Sequence, residues 1–485
     1  MLELLLSIAI VTQDQIPLRA APNERAARHA TLSMGDNLEV RGVKGDYLQV
    51  YDHRRERAGY VRITQTGQYE LTPEEAPGLK VVADFLTHQP GFEAMGIGHA
   101  AAFLKAAPAE AIDAHVFEDI GKMADRLAWR ASKLSGGSSA ASAQAAKTVA
   151  EHLEVVKQYG VEVYSVEHNE KMTLCYDGEA WRRVMALPAT SAQKAHAALS
   201  LTRHECVKST LSPSERLETD VWRAEVLDRA LEASARDKDA PAQLKNRLKI
   251  RAAGVWASIA HQLRRKSGAD AAVVQAGQSA ETFLAAVSRN ELVDGDVQAW
   301  NEAAIRVGAS RWAAQVQALP LPAQGRPGIR LVGGEPGQTC VQVIEGEARH
   351  DKAAAFERCT YGQVWTSSLS VSPDGKMMTL AVQPLSDWRE MWVFRLGSNG
   401  WEIDAIPPAL DQPELGYVEF AGWVPGNKQF LVARETVSDN EAKTSFELWD
   451  RQTLKVEKHA DKPGNLTAFY RWQDPAWKGG TVAVR

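Results

Sequence analysis

The sequence predicts a multidomain α+β chain: a small β-barrel over residues 1–70, a mainly α-helical domain over 74–320 with an inserted β-hairpin at about 161–176, and an all-β domain of repeated strand units over 325–485. Three observations predict it. Residues 6 to about 70 run in short alternating apolar–polar stretches broken by glycine and aspartate turns. Residues 74 to about 316 are alanine-rich, with apolar positions at helical spacing. Eight of the fourteen tryptophans lie from Trp365 onward, in a stretch with a period near 50 residues.

Composition sets the outer bounds. At about 100–200 residues per domain, 485 residues fit about three domains. A 45% hydrophobic and 24% charged chain is ordinary for a globular protein and excludes disordered, collagen-like and coiled-coil classes. A net charge of −5 argues against a coat for DNA or RNA, so no nucleic-acid partner is expected. No apolar run approaches the ~20 residues of a spanning helix, so no membrane span is expected either.

Met1–Val11 looks like the apolar core of a secretory signal but lacks a basic leader and carries Glu3. Ser7–Val11 continuing into Gln15–Arg19 reads instead as an apolar strand. The expectation is that the true start, and a signal with it, lies outside this sequence.

The four cysteines speak to the compartment. Cys175 and Cys206 are 31 residues apart, Cys340 and Cys359 are 19 apart, and each pair falls within one expected domain. That suits two local disulfides, each worth about 3 kcal/mol by loop entropy, in a periplasmic or otherwise exported protein. The alternative is four buried thiols in a cytoplasmic protein. No pair has CxxC spacing, so no metal or cofactor is predicted.

In the first region, Leu38–Gly42 and Tyr47–Tyr51 alternate around the Lys44-Gly45-Asp46 turn, and Gly59–Ile63 closes the set. Five short strands in about 60 residues, with no room for a helix, imply a closed barrel. Leu18-Arg19-Ala20-Ala21-Pro22, Gly35, Gly45-Asp46-Tyr47-Leu48-Gln49-Val50 and Gly59-Tyr60-Val61 together resemble the bacterial SH3-like (SH3b) domain. Tyr47 and Tyr60 stand where that family prefers tryptophan. The resemblance implies an accessory module of an exported protein that binds cell-wall peptides or partner proteins. The binding candidates are Tyr47 and Tyr60, with His53, Arg54 and Arg55 of the tip Asp52–Arg57. The competing reading makes both tyrosines barrel core and the tip an ordinary polar loop.

The second region opens a helix at Pro73-Glu74-Glu75, with proline early and acids in the first turn. Helices are expected at about 99–107, 110–134, 141–159, 191–204, 213–237, 241–266, 270–289 and 296–317, with a flexible connection at 135–139. Val161–Val166, a turn at His168-Asn169-Glu170 and Met172–Tyr176 form the hairpin, clipped by Cys175 to the end of the helix begun at Ser191. Arg236–Lys266 carries nine basic residues beside an apolar stripe, which is either a solvated helix face or a patch for an anionic partner.

In the third region one phrase recurs. Val371-Ser372-Pro373-Asp374-Gly375-Lys376 and Trp423-Val424-Pro425-Gly426-Asn427-Lys428 each run into an apolar strand, and Asp474-Pro475-Ala476-Trp477 before Thr481–Arg485 is a weaker third copy. These resemble the Ser-Pro-Asp-Gly-Lys repeats of bacterial β-propeller blades, implying about three blades, either as a partial propeller closed by other elements or as a blade-like stack of sheets.

Catalytic motifs are incomplete. Gly96-Ile97-Gly98-His99-Ala100-Ala101 fits a dinucleotide fingerprint, but no strand precedes it. Ser191-Ala192-Gln193-Lys194 lacks the partner motifs of penicillin-recognising enzymes, and Ser191 reads as a helix cap. Adjacent His204, Glu205 and Cys206 diverge on a helix and do not make a zinc site. The expected function is a non-enzymatic exported envelope protein that binds or scaffolds cell-wall material or partner proteins. The alternatives are a cell-wall hydrolase or peptidase whose site assembles from distant residues, marked by a concave pocket with paired carboxylates or a His–carboxylate pair within hydrogen-bond reach, and a cytosolic helical adaptor.

Overall fold

The computed structural model describes residues 7–134, 139–168, 171–267, 270–319, 326–345, 354–410, 415–438 and 441–480. Residues 135–138 of the connection expected at 135–139, the hairpin turn at Asn169-Glu170 and the strand Thr481–Arg485 lie outside the described residues. The chain is a mixed α+β protein that divides into two compact units, one of residues 1–210 and 232–240, the other of 211–231 and 241–485.

The first unit begins with β1 (Ser7–Val11), β2 (Ile16–Arg19), β3 (Arg28–Leu32), β4 (Asn37–Lys44), β5 (Tyr47–Asp52), β6 (Arg57–Arg62) and β7 (Thr66–Glu70). They form one antiparallel sheet in the order β3-β2-β6-β5-β4-β1-β7. Its end strands do not pair with each other, so the expected closed barrel is an open sheet of seven strands. The reason lies in β1. Ala9 and Val11 face the core of the sheet with Leu18, Leu38 and Leu48. Ile8 and Ile10 face a second core with Ile97, Phe103 and Val156. A strand buried on both faces reads as a continuous apolar run, and β7 takes its other edge along all five residues. Gln15, at φ 61°, turns the chain, so the run read as one strand is two, β1 and β2.

Then follow α1 (Ala76–Thr87), α2 (Glu93–Ala106), α3 (Ala114–Leu134), α4 (Ala140–Lys157), the hairpin β8 (Val163–His168) with β9 (Lys171–Tyr176), α5 (Glu179–Ala186) and α6 (Ser191–Leu201). The hairpin is where the sequence places it. The first helix starts three residues later than expected, with Pro77 in its first turn. Gly96-Ile97-Gly98 lies inside α2, where a Cβ at Gly96 would stand 2.3 Å from Met123 Sδ of α3. Glycine there lets two helices touch and has no role in a phosphate loop. Thr190, not Ser191, caps α6: its hydroxyl accepts from the Gln193 amide at 3.2 Å, while the Ser191 hydroxyl donates to Asp237 at 2.5 Å. Cys175 of β9 is joined to Cys206 of the turn after α6, with Cα atoms 5.8 Å apart.

The second unit holds most of α7 (Pro213–Arg236), then α8 (Ala242–Ser267), α9 (Asp270–Ala285) and α10 (Asp294–Ser310). Three antiparallel strands follow, β10 (Gly328–Gly333), β11 (Thr339–Ile344) and β12 (Phe356–Thr360). Cys340 and Cys359 face each other across β11 and β12 and are joined, their Cα atoms 3.8 Å apart. The remaining strands make two four-stranded antiparallel meanders. The first is β13 (Gln363–Val371), β14 (Met377–Leu385), β15 (Trp388–Gly397) and β16 (Gly400–Ile406). The second is β17 (Leu415–Trp423), β18 (Gln429–Ser438), β19 (Glu441–Asp450) and β20 (Val456–Ala460). A short parallel pairing of Trp388-Arg389 with Gly416-Tyr417 joins them.

Two copies of the recurring phrase sit at equivalent turns, Pro373–Gly375 between β13 and β14 and Pro425–Asn427 between β17 and β18. Gly375 (φ 68°) and Asn427 (φ 58°) supply the left-handed residue each turn needs. The third copy differs: Pro475 starts the short helix α12 (Pro475–Gly480), which follows α11 (Thr467–Trp472). Proline suits the first helical position, so the same residues build a helix start. Among the described residues no propeller closes.

The helix α10 packs on the sheet through Ile305 and Ala309 against Leu415 and Tyr417. A Cβ at Gly308 would come within 2.3 Å of the Tyr417 ring, so only glycine fits that contact. Arg389 is fully buried and donates to the Gly308 carbonyl at 2.7 Å and to Glu419. Trp477 Nε1 donates to the other Glu419 oxygen at 2.7 Å. Opposite Tyr417 on β18 stands Glu435. Burial first, and then the nearby Glu419 charge, push its carboxyl from 4.5 up to about 8 against a hydrogen bond from Tyr417. The folded chain thus holds a proton there that the unfolded chain has lost, and stability drains away between pH 4.5 and 8. In Glu435→Gln that loss is absent: the melting temperature of the variant relative to the parent rises from pH 5 to pH 8.5. An equal difference at both pH values contradicts the burial of a protonated Glu435.

Candidate functional site

In the first unit a cleft of about 520 Å³ is lined by Ile8, Asn37, Glu39, His53, Arg54, Lys105, Gln158 and Tyr159. Its parts come from β1, β4, the turn between β5 and β6, the end of α2 and the residues after α4. Two carboxylates fix the turn. Asp36, 1% exposed, accepts the Ser33 amide at 2.8 Å and ion-pairs with Arg54 at 2.6 Å and Arg55 at 3.0 Å. Asp52 accepts the amides of Arg54 and Arg55 at 3.0 and 3.2 Å and the Arg55 guanidinium at 2.7 Å. A buried carboxylate is tolerated when several charge-assisted bonds replace its water. The tip read from sequence as a basic loop is therefore half folded inward. Arg55 is committed to Asp36 and Asp52, and Arg54 spans from Asp36 to the cleft.

His53 remains outside, its side chain 68% exposed, with Nε2 2.7 Å from Glu39 Oε2. The Tyr51 ring meets the imidazole edge-on at 4.9 Å, and the Arg41 guanidinium lies 4.2 Å over that same ring. Arg41 holds the other Glu39 oxygen at 2.9 Å, and Arg41 first, then His53, lowers the Glu39 carboxyl below its ordinary range. At the other wall, burial pushes the Tyr159 phenol upward, and its hydroxyl donates to the Gly35 carbonyl at 2.6 Å. Lys105 is exposed and forms no ion pair among the described residues.

Two cleft atoms are buried without a hydrogen-bond partner: the acceptor Asn37 Oδ1 and the donor Arg54 Nε. An unmet buried donor or acceptor costs about 1–3 kcal/mol. Both atoms are sealed beneath the cleft wall, and what the lining presents is a cation at Lys105 and an anion at Glu39.

Of the residues singled out from sequence, His53 and Arg54 line this cleft and Arg55 stands behind it. Tyr47 and Tyr60 do not line it. Tyr47 is 6% exposed beneath the Arg62 guanidinium, 5.6 Å from its ring, and Tyr60 lies in β6 beside Arg19 and Gln49. Asn37, Glu39, Lys105, Gln158 and Tyr159 carry no local signal. The one available hint was the unusual sequence of β1, apolar on both faces, which requires helices to pack over the sheet beside the turn.

A second cavity, about 150 Å³, lies in the other unit and is lined by Arg311, Thr379, Glu419, Trp477 and neighbouring serines. Its acid is already held: Glu419 pairs with Arg311 and Arg389 and accepts from the Trp477 indole. Among the described residues two groups of side chains have the spacing of metal ligands, Cys340 with Glu357 and Cys359, and Asp84 with His115 and Asp119. The first is disqualified because its sulfurs are bonded to each other.

Removing the Asp36 charge tests the built turn. In Asp36→Asn, amide hydrogen exchange at residues 33–36 and 52–55 accelerates about 100-fold, the equivalent of about 3 kcal/mol for breaking a buried ion pair, whereas Arg41→Ala on the exposed pair leaves it within about fivefold. Unchanged exchange in Asp36→Asn contradicts this account of the turn. No protein-family model matches the sequence, and neither a curated protein nor a solved structure matches it.

Proposed function

We propose that the chain is an exported envelope protein whose first unit binds peptide, with cell-wall peptide or an extended segment of an envelope protein as the ligand class. The observation that carries this reading is a cleft of about 520 Å³ whose lining holds the exposed Lys105, which forms no ion pair among the described residues, together with the His53–Glu39 pair. Lys105 suits a peptide carboxylate and Glu39 suits an amine, so a zwitterionic peptide matches the lining in both charges. Export is supported by the two disulfides, one in each unit, since such bonds persist in oxidising compartments.

A second reading has its own support. His53 and Glu39 form a His–carboxylate pair at 2.7 Å in a concave site, the arrangement a hydrolytic base needs. The only hydroxyl among the lining residues is that of Tyr159, already donated to Gly35, so a hydrolase reading requires water as the nucleophile.

Co-sedimentation with purified insoluble peptidoglycan, followed by assay of released fragments, separates these readings. The binder reading expects the chain in the pellet, Lys105→Glu shifted to the supernatant by about tenfold, and no fragments. The hydrolase reading expects fragments that vanish in His53→Ala. A chain that stays in the supernatant and also ignores envelope extract on a column contradicts peptide binding.

A further inference from the structure

We infer that Asp84, His115 and Asp119 form a binding site for a divalent transition cation of the zinc type, built on two helices of the first unit. Asp84 is in α1, and His115 and Asp119 are one turn apart on α3, the i and i+4 spacing that puts two side chains on one helix face. One donor atom from each of the three lies within 4.8 Å of the others. His115 Nε2 is 3.3 Å from Asp84 Oδ1 and 3.5 Å from Asp119 Oδ2. Those separations are long for hydrogen bonds. They match the edge of a ligand tetrahedron, about 3.4 Å when nitrogen and oxygen stand about 2.0–2.1 Å from a central zinc ion.

The second observation is independent of the spacing. The Asp119 side chain is 3% exposed, and its Oδ2, like Asp84 Oδ1, is buried without a hydrogen-bond partner. Among the described residues neither carboxylate pairs with a lysine or arginine. Elsewhere the same unit neutralises its buried acids fully: Glu93 is held by both Arg126 and Arg130. At Asp84 and Asp119 two acids face one imidazole.

The surroundings suit a metal. The Nδ1 of His115 lies 3.9 Å from Glu118 Oε2, beyond hydrogen-bond reach, so Glu118 adds a negative charge behind the imidazole without orienting it directly. His196 and Lys122 fix Glu118 through its other oxygen, each at 2.9 Å. Asp84 and His115 remain 39% and 43% exposed, so an ion would enter from solvent and keep an open coordination position. One imidazole and two carboxylates favour a borderline ion such as zinc over calcium, which takes six to eight oxygens. This site stands apart from the cleft residues and does not rest on the peptide-binding reading.

The test is titration of the full chain with Co²⁺, whose visible absorption reports tetrahedral coordination, followed by displacement with Zn²⁺. The expected result is one equivalent per chain, displaced by Zn²⁺ and indifferent to excess Ca²⁺. His115→Gln, at an exposed position that folding tolerates, loses the saturating signal, and Asp119→Asn does the same. Glu118→Gln weakens binding about tenfold or more. Absence of a saturating one-equivalent signal in the parent chain overturns the site, as does a signal that survives in His115→Gln.

Discussion

Two sulfur–sulfur bonds, one in each compact unit, are the constraint on which the proposed account depends. The first ties the β8–β9 hairpin to the turn after α6 across 31 residues, and the second locks β11 to β12 across 19. By loop entropy each is worth about 3–4 kcal/mol. That is a large share of the ~5–15 kcal/mol by which folded domains exceed their unfolded chains. β10–β12 form a sheet of only three strands, and a cross-strand bond near one end of the β11–β12 ladder offsets much of what such a small sheet lacks in burial. Such bonds persist in oxidising compartments, which is the support they lend to the proposed export.

Both units also bury charge, and each does so by multiple pairing. Asp36 and Asp52 share Arg54 and Arg55 in the first, and Glu419 collects Arg389, Arg311 and Trp477 in the second. Such networks cost desolvation and give back geometry. In the first unit the geometry fixes the β5–β6 turn against the loop between β3 and β4 and so shapes the cleft. In the second it anchors the C-terminal end of α10 to the sheet. Asp84 and Asp119 break the pattern, since the same unit that neutralises Glu93 twice leaves them facing one histidine.

Periodicity made much of the fold legible. The helices, the hairpin between α4 and α5 and two of the three proline turns follow from spacing and turn chemistry, and both cysteine pairings follow from their separation. What escaped was decided by long-range packing. Barrel closure fails because β1 serves two cores, which becomes visible only once the helices are present. The helix α5, Glu179–Ala186, is too short for a clear period. Pro475 heads a helix although its phrase echoes two strand turns, because proline fits both positions. The helices expected as one domain are shared between the two units. At the site, His53 and Arg54 were visible as a polar tip, whereas the cleft unites residues from 8 to 159 that share no motif. The His115–Asp119 spacing was readable, but Asp84 reaches it only through the packing of α1 on α3.

The most direct measurement is the state of the four sulfurs in the cell. Cells are quenched in acid, free thiols are alkylated, and the intact chain and its peptides are weighed without reductant. The account predicts no alkylated cysteine and peptides linked as Cys175–Cys206 and Cys340–Cys359. Four alkylated thiols, or peptides linked in any other pairing, contradict it and return the protein to a reducing compartment.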